Sequence, residues 1–344
     1  MTHEIKELIL AYQQAALNGL SCVMATVVHL DGSSYRRPGV RMLINEQGQM
    51  TGAVSGGCVE KEILRQSHSV FKTGTSKMMS YDGRYRLGCE GTLYILIERF
   101  SPSKIFLECF EQAVKERTSF EIVSIYSLEV GEDRAYGSKF IFGKQHIAVN
   151  RERQVALDQT DGVKAFKQQM EPCFKLIIFG AEHDTGQLAL MAGSLGWEVT
   201  VVVSPSSGQT IDDFKGAQEL LKQNAEGVDL KGIDKNVAVV LMTHSYAKDL
   251  SYLYALKDSR PAYIGLLGPS NRRERILNDI LEKFPDLENE FFDLLFGPAG
   301  LNIGSETPQE IAMSICSEIL SVIRGQEPKP LKDKLGKIHL NIKL

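Results

Sequence analysis

The 344-residue sequence predicts an α/β protein of two domains, an N-terminal α+β domain followed by a doubly wound parallel-sheet domain, and three observations predict it. The length exceeds the roughly 100–200 residues of one ordinary domain. A polar stretch, Asn150–Pro172, separates a strand-rich first half from a second half in which strands and helices alternate. The run Cys173–Gly180 (CFKLIIFG) is too continuously apolar for a half-exposed strand and is typical of a central parallel one. These place domains at 1–172 and 173–325, with a Lys-rich, Pro-punctuated tail at 326–344.

Ile5, Leu8, Ile9, Tyr12, Ala15 and Ala16 recur at helical spacing, and Asn18-Gly19 supplies a stop, so the chain opens with an amphipathic helix. Ser21–Leu30 is a β-branched run, 31–39 a loop, Val40–Asn45 a strand, and 46–48 a turn into a strand at Met50–Val54. Ser55-Gly56-Gly57 breaks that meander, and Val59, Ile63, Val70 and Phe71 give Cys58–Phe71 a helical period. Strands are expected at Leu93–Glu98, Phe120–Leu128 and Lys139–Asn150, and a helix at Lys104–Arg117. In the second half, strands at 175–179, 198–203, 237–242 and 262–266 alternate with helices at 185–195, 214–223 and 248–258, a doubly wound, Rossmann-like order. Thr307-Pro308-Gln309-Glu310 places an N-cap, a first-turn proline and a capping-box glutamate in register for a final helix.

Hydrophobic residues at 43% and charged residues at 24%, with a mean hydropathy of -0.13, argue against extended disorder and against a membrane protein. A net charge of -4 provides no general basic face, so neither nucleic acid nor an anionic membrane is expected as a partner. No apolar run approaches the roughly 20 residues a bilayer requires. The N-terminus lacks the basic and apolar regions of a secretory signal, so a cytoplasmic location is expected. Six cysteines are scattered without a close pair, which argues against a disulfide scaffold or a zinc knuckle. Of these, Cys22, Cys109, Cys173 and Cys316 are expected to be buried thiols.

Five segments are candidates for chemistry. The loop Gly32-Ser33-Ser34-Tyr35-Arg36-Arg37-Pro38-Gly39, with Arg41 beyond it, combines hydroxyls and three arginines that can grip phosphate, or is a solvated turn. Ser55-Gly56-Gly57-Cys58-Val59-Glu60 sits at a strand-to-helix turn, where free N–H groups and the helix dipole can bind an anion or activate the Cys58 thiol. Alternatively, Cys58 packs as a small buried residue and Glu60 complements the dipole. Arg86-Leu87-Gly88-Cys89-Glu90-Gly91 brings a second thiol or is an ordinary turn. Gly180-Ala181-Glu182-His183-Asp184-Thr185-Gly186 follows the first strand of the second domain, but a dinucleotide fingerprint wants glycine where Glu182 stands. His183 there faces a ligand or caps its helix. Finally, Thr243-His244 with Asp249, Gly265–Arg273 and Gly297–Gly304 lie after later strands and together form a cleft with His244 as an acid or base.

The segments ATVVHLDGSSYRRPGVRMLI, GAVSGGCVEKEIL and LGCEGTLYILIE resemble the N-terminal domain of the XdhC/CoxI family of xanthine dehydrogenase accessory factors. LIIFGAEHDTGQLALMAGSLGWEVTVVV, VVLMTHSYAKDL, YIGLLGP and GPAGLNIGSETPQEIAMSICSEIL resemble its Rossmann-like C-terminal domain. The resemblance implies binding of molybdenum cofactor, help in exchanging an oxo for a sulfido ligand together with a cysteine desulfurase, and insertion into an apo xanthine dehydrogenase or related molybdenum hydroxylase.

On that reading Arg36, Arg37 and Arg41 hold negative charge and Ser33 and Ser34 donate hydrogen bonds. Ser55, Gly56 and Gly57 frame the anion site, Cys58 contacts molybdenum or relays sulfur, Cys58 and Glu60 are the expected catalytic residues, and Cys89 joins the cofactor-binding set. Gly180, His183 and His244, in the second domain's cleft, are expected to bind cofactor as well. A homodimer is also expected. The sequence departs from the family pattern at Tyr35, Glu182, Val203 and Pro269. Glu182, and Val203 where an acid is usual, argue against dinucleotide and ribose binding by the second domain.

Two other readings compete: an NAD(P)-dependent oxidoreductase using the second domain, and a scaffold that needs no pocket chemistry. A catalytic xanthine dehydrogenase is not expected, because the chain has no paired iron–sulfur cysteine motifs.

Overall fold

The computed structural model describes residues 2–32, 37–83, 91–152, 162–228, 230 and 232–334, and of Cys58 only the backbone. The chain divides into two compact units that meet in sequence between Pro172 and Cys173.

The first unit is α+β. Helix α1 (Thr2–Leu17) precedes strands β1 (Cys22–Gly32), β2 (Arg41–Asn45) and β3 (Met50–Gly52). Helix α2 (Cys58–Thr73), β4 (Lys77–Asp82), β5 (Gly91–Phe100), α3 (Lys104–Lys115) and β6 (Phe120–Tyr126) follow. The unit closes with β7 (Gly131–Glu132), β8 (Gly137–Phe142), β9 (Gln145–Ala148) and β10 (Lys164–Met170). The strands make a six-stranded antiparallel sheet, β3-β2-β1-β5-β4-β7, and a four-stranded one, β10-β6-β8-β9.

Alternation along the central strands sorts side chains to opposite faces. Val23, Ala25, Ile95 and Ile97 pack with Val59 and Ile63 of α2 on one face, while Met24, Leu43 and Phe100 join α1, α3 and the smaller sheet on the other. Between that second cluster and a smaller one around Leu96 and Tyr126 lies a buried polar layer. It contains Thr26, Arg41, Glu98, Ser124, Ser138 and Gln168.

Two expectations are corrected here. Residues 139–150 are not one strand but the hairpin β8–β9, because Gly143 adopts φ 58° and turns the chain. The polar stretch before Pro172 contains β10, an edge strand whose lysines are exposed while Gln168 and Met170 are buried.

The second unit carries β11 (Lys175–Phe179), α4 (His183–Ser194), β12 (Glu198–Val203), β13 (Glu219–Lys222), β14 (Val237–Leu241), α5 (Tyr246–Leu256) and β15 (Tyr263–Leu266). It ends with α6 (Ser270–Lys283), α7 (Asn289–Asp293), β16 (Leu295–Phe296) and α8 (Pro308–Ile323). All strands are parallel in the order β13-β12-β11-β14-β15-β16, which makes the gap between β11 and β14 the topological switch point. One face of the sheet packs on α4 and α8, and the other on α5, α6 and α7.

The expected helix at 214–223 is instead a short 3-10 turn (Ile211–Asp213) and strand β13. Gly216, at φ 94°, lies so close to α4 that a Cβ there would stand 2.5 Å from the Ala189 carbonyl. The final helix has its capping box: Thr307 Oγ1 accepts from the Glu310 N–H at 3.3 Å, and Glu310 accepts from the Thr307 N–H at 2.9 Å.

Candidate functional site

Strand register brings the strand ends that flank the three candidate segments of the first unit to one end of the six-stranded sheet. Strand β1 runs up to Gly32, which pairs with Gly91 at the start of β5, and Asp82 at the end of β4 pairs with the adjacent Thr92. The strand ends at Gly32, Asp82 and Gly91 are therefore neighbours. Strand β2 begins at Arg41 and β3 ends at Gly52 opposite Met42, so 53–57 leaves from that end too. Ser33, Ser34, Arg36 and Cys89, together with the Cys58 side chain, lie outside the described residues. Arg37 is half-buried.

The turn before α2 is locked by Glu60. Burial by itself would raise this carboxyl's pKa. The Ser55 hydroxyl at 2.7 Å, the Ser55 N–H at 2.6 Å and the Gly57 N–H at 2.8 Å outweigh that and hold it below the ordinary range. The Val54 N–H donates to it as well, at 3.1 Å. Gly57 reaches φ 119°, open to glycine alone without strain, and sets the backbone of Cys58 as the first residue of α2. The structure thus corrects one expectation: the N–H groups of Ser55 and Gly57, offered by the sequence to an anion, are taken by Glu60. The carboxylate braces the turn from within.

Arg41 is also relocated. It is 5% exposed, within the polar layer, with Nη1 donating to the Gly39 carbonyl at 2.8 Å and to Gln168 Oε1 at 2.6 Å. Its Nε and Nη2 are buried with no hydrogen-bond partner. Desolvation lowers its pKa to about 10 despite the nearby Glu98 and Glu4 carboxylates. Arg41 therefore anchors the root of the 33–40 loop rather than reaching out of it.

Of the thiols expected to be buried, Cys22 and Cys316 are, and burial pushes them up to about 11 and about 12. Cys173 is buried too, whereas Cys109 is half-exposed with its thiol donating to Gln145 Oε1 at 2.9 Å.

In the second unit, Gly180 directly follows β11 at a close crossing, where a Cβ would meet the Met242 carbonyl at 2.6 Å and Thr185 Oγ1 at 2.8 Å. Two cavities flank the turn that follows, and Ala181 and Glu182 contribute to both. The first, about 320 Å³, lies at the carboxyl ends of β11 to β14, with Val203, Ser204, Asn224, Glu226, Thr243 and Lys248 in its wall. Burial, then the Glu226 and Asp249 carboxylates, raise the pKa of Tyr252 in the same cavity. The second, about 410 Å³, lies between α4 and the 209–215 segment and is lined in part by His183.

His244 sits at the switch point in left-handed backbone, φ 54°, with Nε2 3.9 Å from Asp184 Oδ2. Its turn is held by Asp249, 1% exposed, which accepts from the Thr243 hydroxyl at 2.6 Å and from Arg272 Nη2 at 2.5 Å. His183 is exposed at the start of α4.

The structure adds groups the sequence did not single out. His29 Nε2 and Asp31 Oδ1 lie 2.9 Å apart near the loop end of β1, and the contact with His29 lowers the Asp31 pKa. Their spacing of two in a strand was the available signal, since alternate residues share a face. Glu226 had no such signal, because it follows a strand that resembled a helix. Among the described residues no three His, Cys, Asp or Glu side chains gather to hold a metal ion, and no helix is long and apolar enough to cross a membrane.

Comparison with known proteins spans both units. The XdhC and CoxI family matches residues 15–82, and the XdhC Rossmann domain matches residues 176–319. A Bacillus subtilis protein named as a probable subunit of xanthine dehydrogenase is 30% identical over 87% of this chain and 92% of its own length. A protein of Escherichia coli named molybdenum cofactor insertion chaperone PaoD is 22% identical over 91% of this chain and 87% of its own. A crystal structure from Bacillus halodurans, described as a xanthine dehydrogenase, superposes with a TM-score of 0.76 at 25% identity, covering 94% of this chain and 98% of that one. With a 30% identical relative matched over nearly its whole length and family matches in each unit, the chain belongs to the XdhC and CoxI family.

Proposed function

We propose that the chain is a maturation factor that takes up molybdenum cofactor as cargo, assists its sulfuration, and inserts it into an apo xanthine dehydrogenase or related molybdenum hydroxylase. The observation that carries this reading is one of extent: the relative named as an insertion chaperone is matched over 91% of this chain, both units included. The strand ends that border residues 33–36, 53–57 and 84–90 lie at one end of the sheet, and this supports the first unit, 1–172, as the cargo site.

In this proposal Arg36 and Arg37 meet the anionic pterin phosphate, Ser33 and Ser34 donate hydrogen bonds, and Cys58 contacts molybdenum or relays sulfur with Cys89 beside it. Glu60 and Arg41 act indirectly, by fixing the turn and the loop root. A cysteine desulfurase is the proposed sulfur donor, a homodimer the proposed assembly, and the cytoplasm the proposed location. The Rossmann-like domain, 173–325, is assigned no part in holding the cargo.

The test is molybdenum analysis by mass spectrometry, paired with fluorescence of oxidised pterin, on protein purified from a host that makes the cofactor. Wild type should carry both in equal amounts, and Cys58→Ala should lose most of each. If neither is bound even after free cofactor is added, the cargo reading fails and a scaffold role takes its place. If Cys58→Ala retains full loading and full activation of the client enzyme, the thiol role fails.

A further inference from the structure

We propose that the crevice at the carboxyl ends of β11 to β14 binds a nucleoside, base and ribose together, and that Glu182 makes it reject a pyrophosphate. This does not rest on the cargo reading, since every group involved lies in the second unit.

Open α/β sheets bind ligands outside the carboxyl ends of their strands at the switch point, and the order β13-β12-β11-β14 puts this crevice there. Its volume of about 320 Å³ is at the small end for ligand sites, matching one heterocycle and one sugar rather than a dinucleotide. Val202, Val203 and Tyr252 supply apolar wall for a flat ring, while Ser204, Asn224 and Thr243 supply donors and acceptors.

Two carboxylates decide what else can enter. A dinucleotide-binding sheet of this order holds the ribose diol with an acid at the end of its second strand, where this chain has Val203. The structure restores a carboxylate to the crevice from the next strand: Glu226 follows β13, lies in the same wall as Asn224, and is near enough to Tyr252 to act on its phenol. A diol donating to Glu226 satisfies the ribose without the usual acid.

Glu182 works in the opposite sense. It is the N-cap residue of α4, where a pyrophosphate would otherwise meet the free N–H groups and the positive end of the dipole. Its side chain makes no capping hydrogen bond with the helix, and the residue contributes to the walls of both cavities beside the turn. A fixed negative charge at that place repels a ligand phosphate and adds the bulk a glycine would spare.

The experiment is calorimetric and saturation-transfer titration of the full chain with adenosine and cytidine, their 2′-deoxy analogues, their 5′-diphosphates, and NAD. At least one ribonucleoside should bind, its 2′-deoxy analogue at least fivefold more weakly, and its 5′-diphosphate at least tenfold more weakly. Glu182→Gln, which removes charge at nearly constant size, should bring the diphosphate to within threefold of the nucleoside, and Glu182→Gly should further improve NAD binding. Glu226→Gln should erase the preference for ribose over deoxyribose while Glu182-dependent discrimination persists. The proposal is overturned if no ribonucleoside binds, or if wild type binds the diphosphates or NAD as tightly as the nucleosides.

Discussion

The turn before α2 in the first unit and the turn before α5 in the second are built on the same device with different partners. Each is held by a buried carboxylate from the first turn of the helix it precedes: Glu60, which gathers N–H and O–H groups from Val54, Ser55 and Gly57, and Asp249, which gathers Thr243 and the guanidinium of Arg272. Glu60 trades one set of neutral donors for water on unfolding. Asp249 is tied to a cation that would be stranded without it. A carboxylate that braces its own turn withdraws donors from any ligand, so geometry that looks like an anion site in sequence can be an occupied one.

The sharpest way to break this comparison is to remove each brace. Asp249→Ala should destabilise the second unit by about 3 kcal/mol, because it leaves Arg272 partly buried and unpaired. A urea midpoint measurement checks this, and a smaller loss would mean that Arg272 rehydrates freely. Glu60→Ala should cost about 2 kcal/mol, since neutral N–H groups in a half-exposed turn regain water. Hydrogen exchange should show the loss at residues 54–60 first.

The acid side of the stability profile probes the Glu60 brace directly. Glu60 is depressed in the folded state, so its contribution is complete above the ordinary glutamate range and disappears as pH falls through that range to the folded value. Glu60→Gln should flatten that part of the curve, measured as midpoint against pH. As the smallest effect and a reference for a solvent-exposed cap, Thr307→Ala should cost about 1 kcal/mol.

Much of this architecture was legible in the sequence. Continuous apolar runs announced β11, β12 and β14, and Thr307 with Glu310 announced α8 at the correct register. What failed did so for identifiable reasons. Phe214, Ala217 and Leu221 mimic a helical stripe, and only the tertiary approach of Gly216 to α4 makes the segment bend into β13. Helix α6 carries the charged run Arg272-Arg273-Glu274-Arg275 with only Ile276 and Ile280 buried, too narrow a stripe to stand out.

At the candidate site, the residue types and loops could be read, but not their orientation. Arg41 stands three residues after Pro38, at the start of the strand that follows an arginine-rich loop, and nothing in that spacing reveals that its guanidinium turns inward. Glu60 likewise gave no sign of reaching back to four groups.

The bond from Arg41 to Gln168 joins residues 127 positions apart, and so it sets an order of events during synthesis. Strands β1 and β2 leave the ribosome early, yet the guanidinium at the root of the 33–40 loop has no Gln168 acceptor until β10 has emerged. Until then the arginine is free to stay hydrated. The loop end of the sheet is therefore finished only when the last strand of its unit arrives, just before the first apolar strand of the next unit begins to emerge.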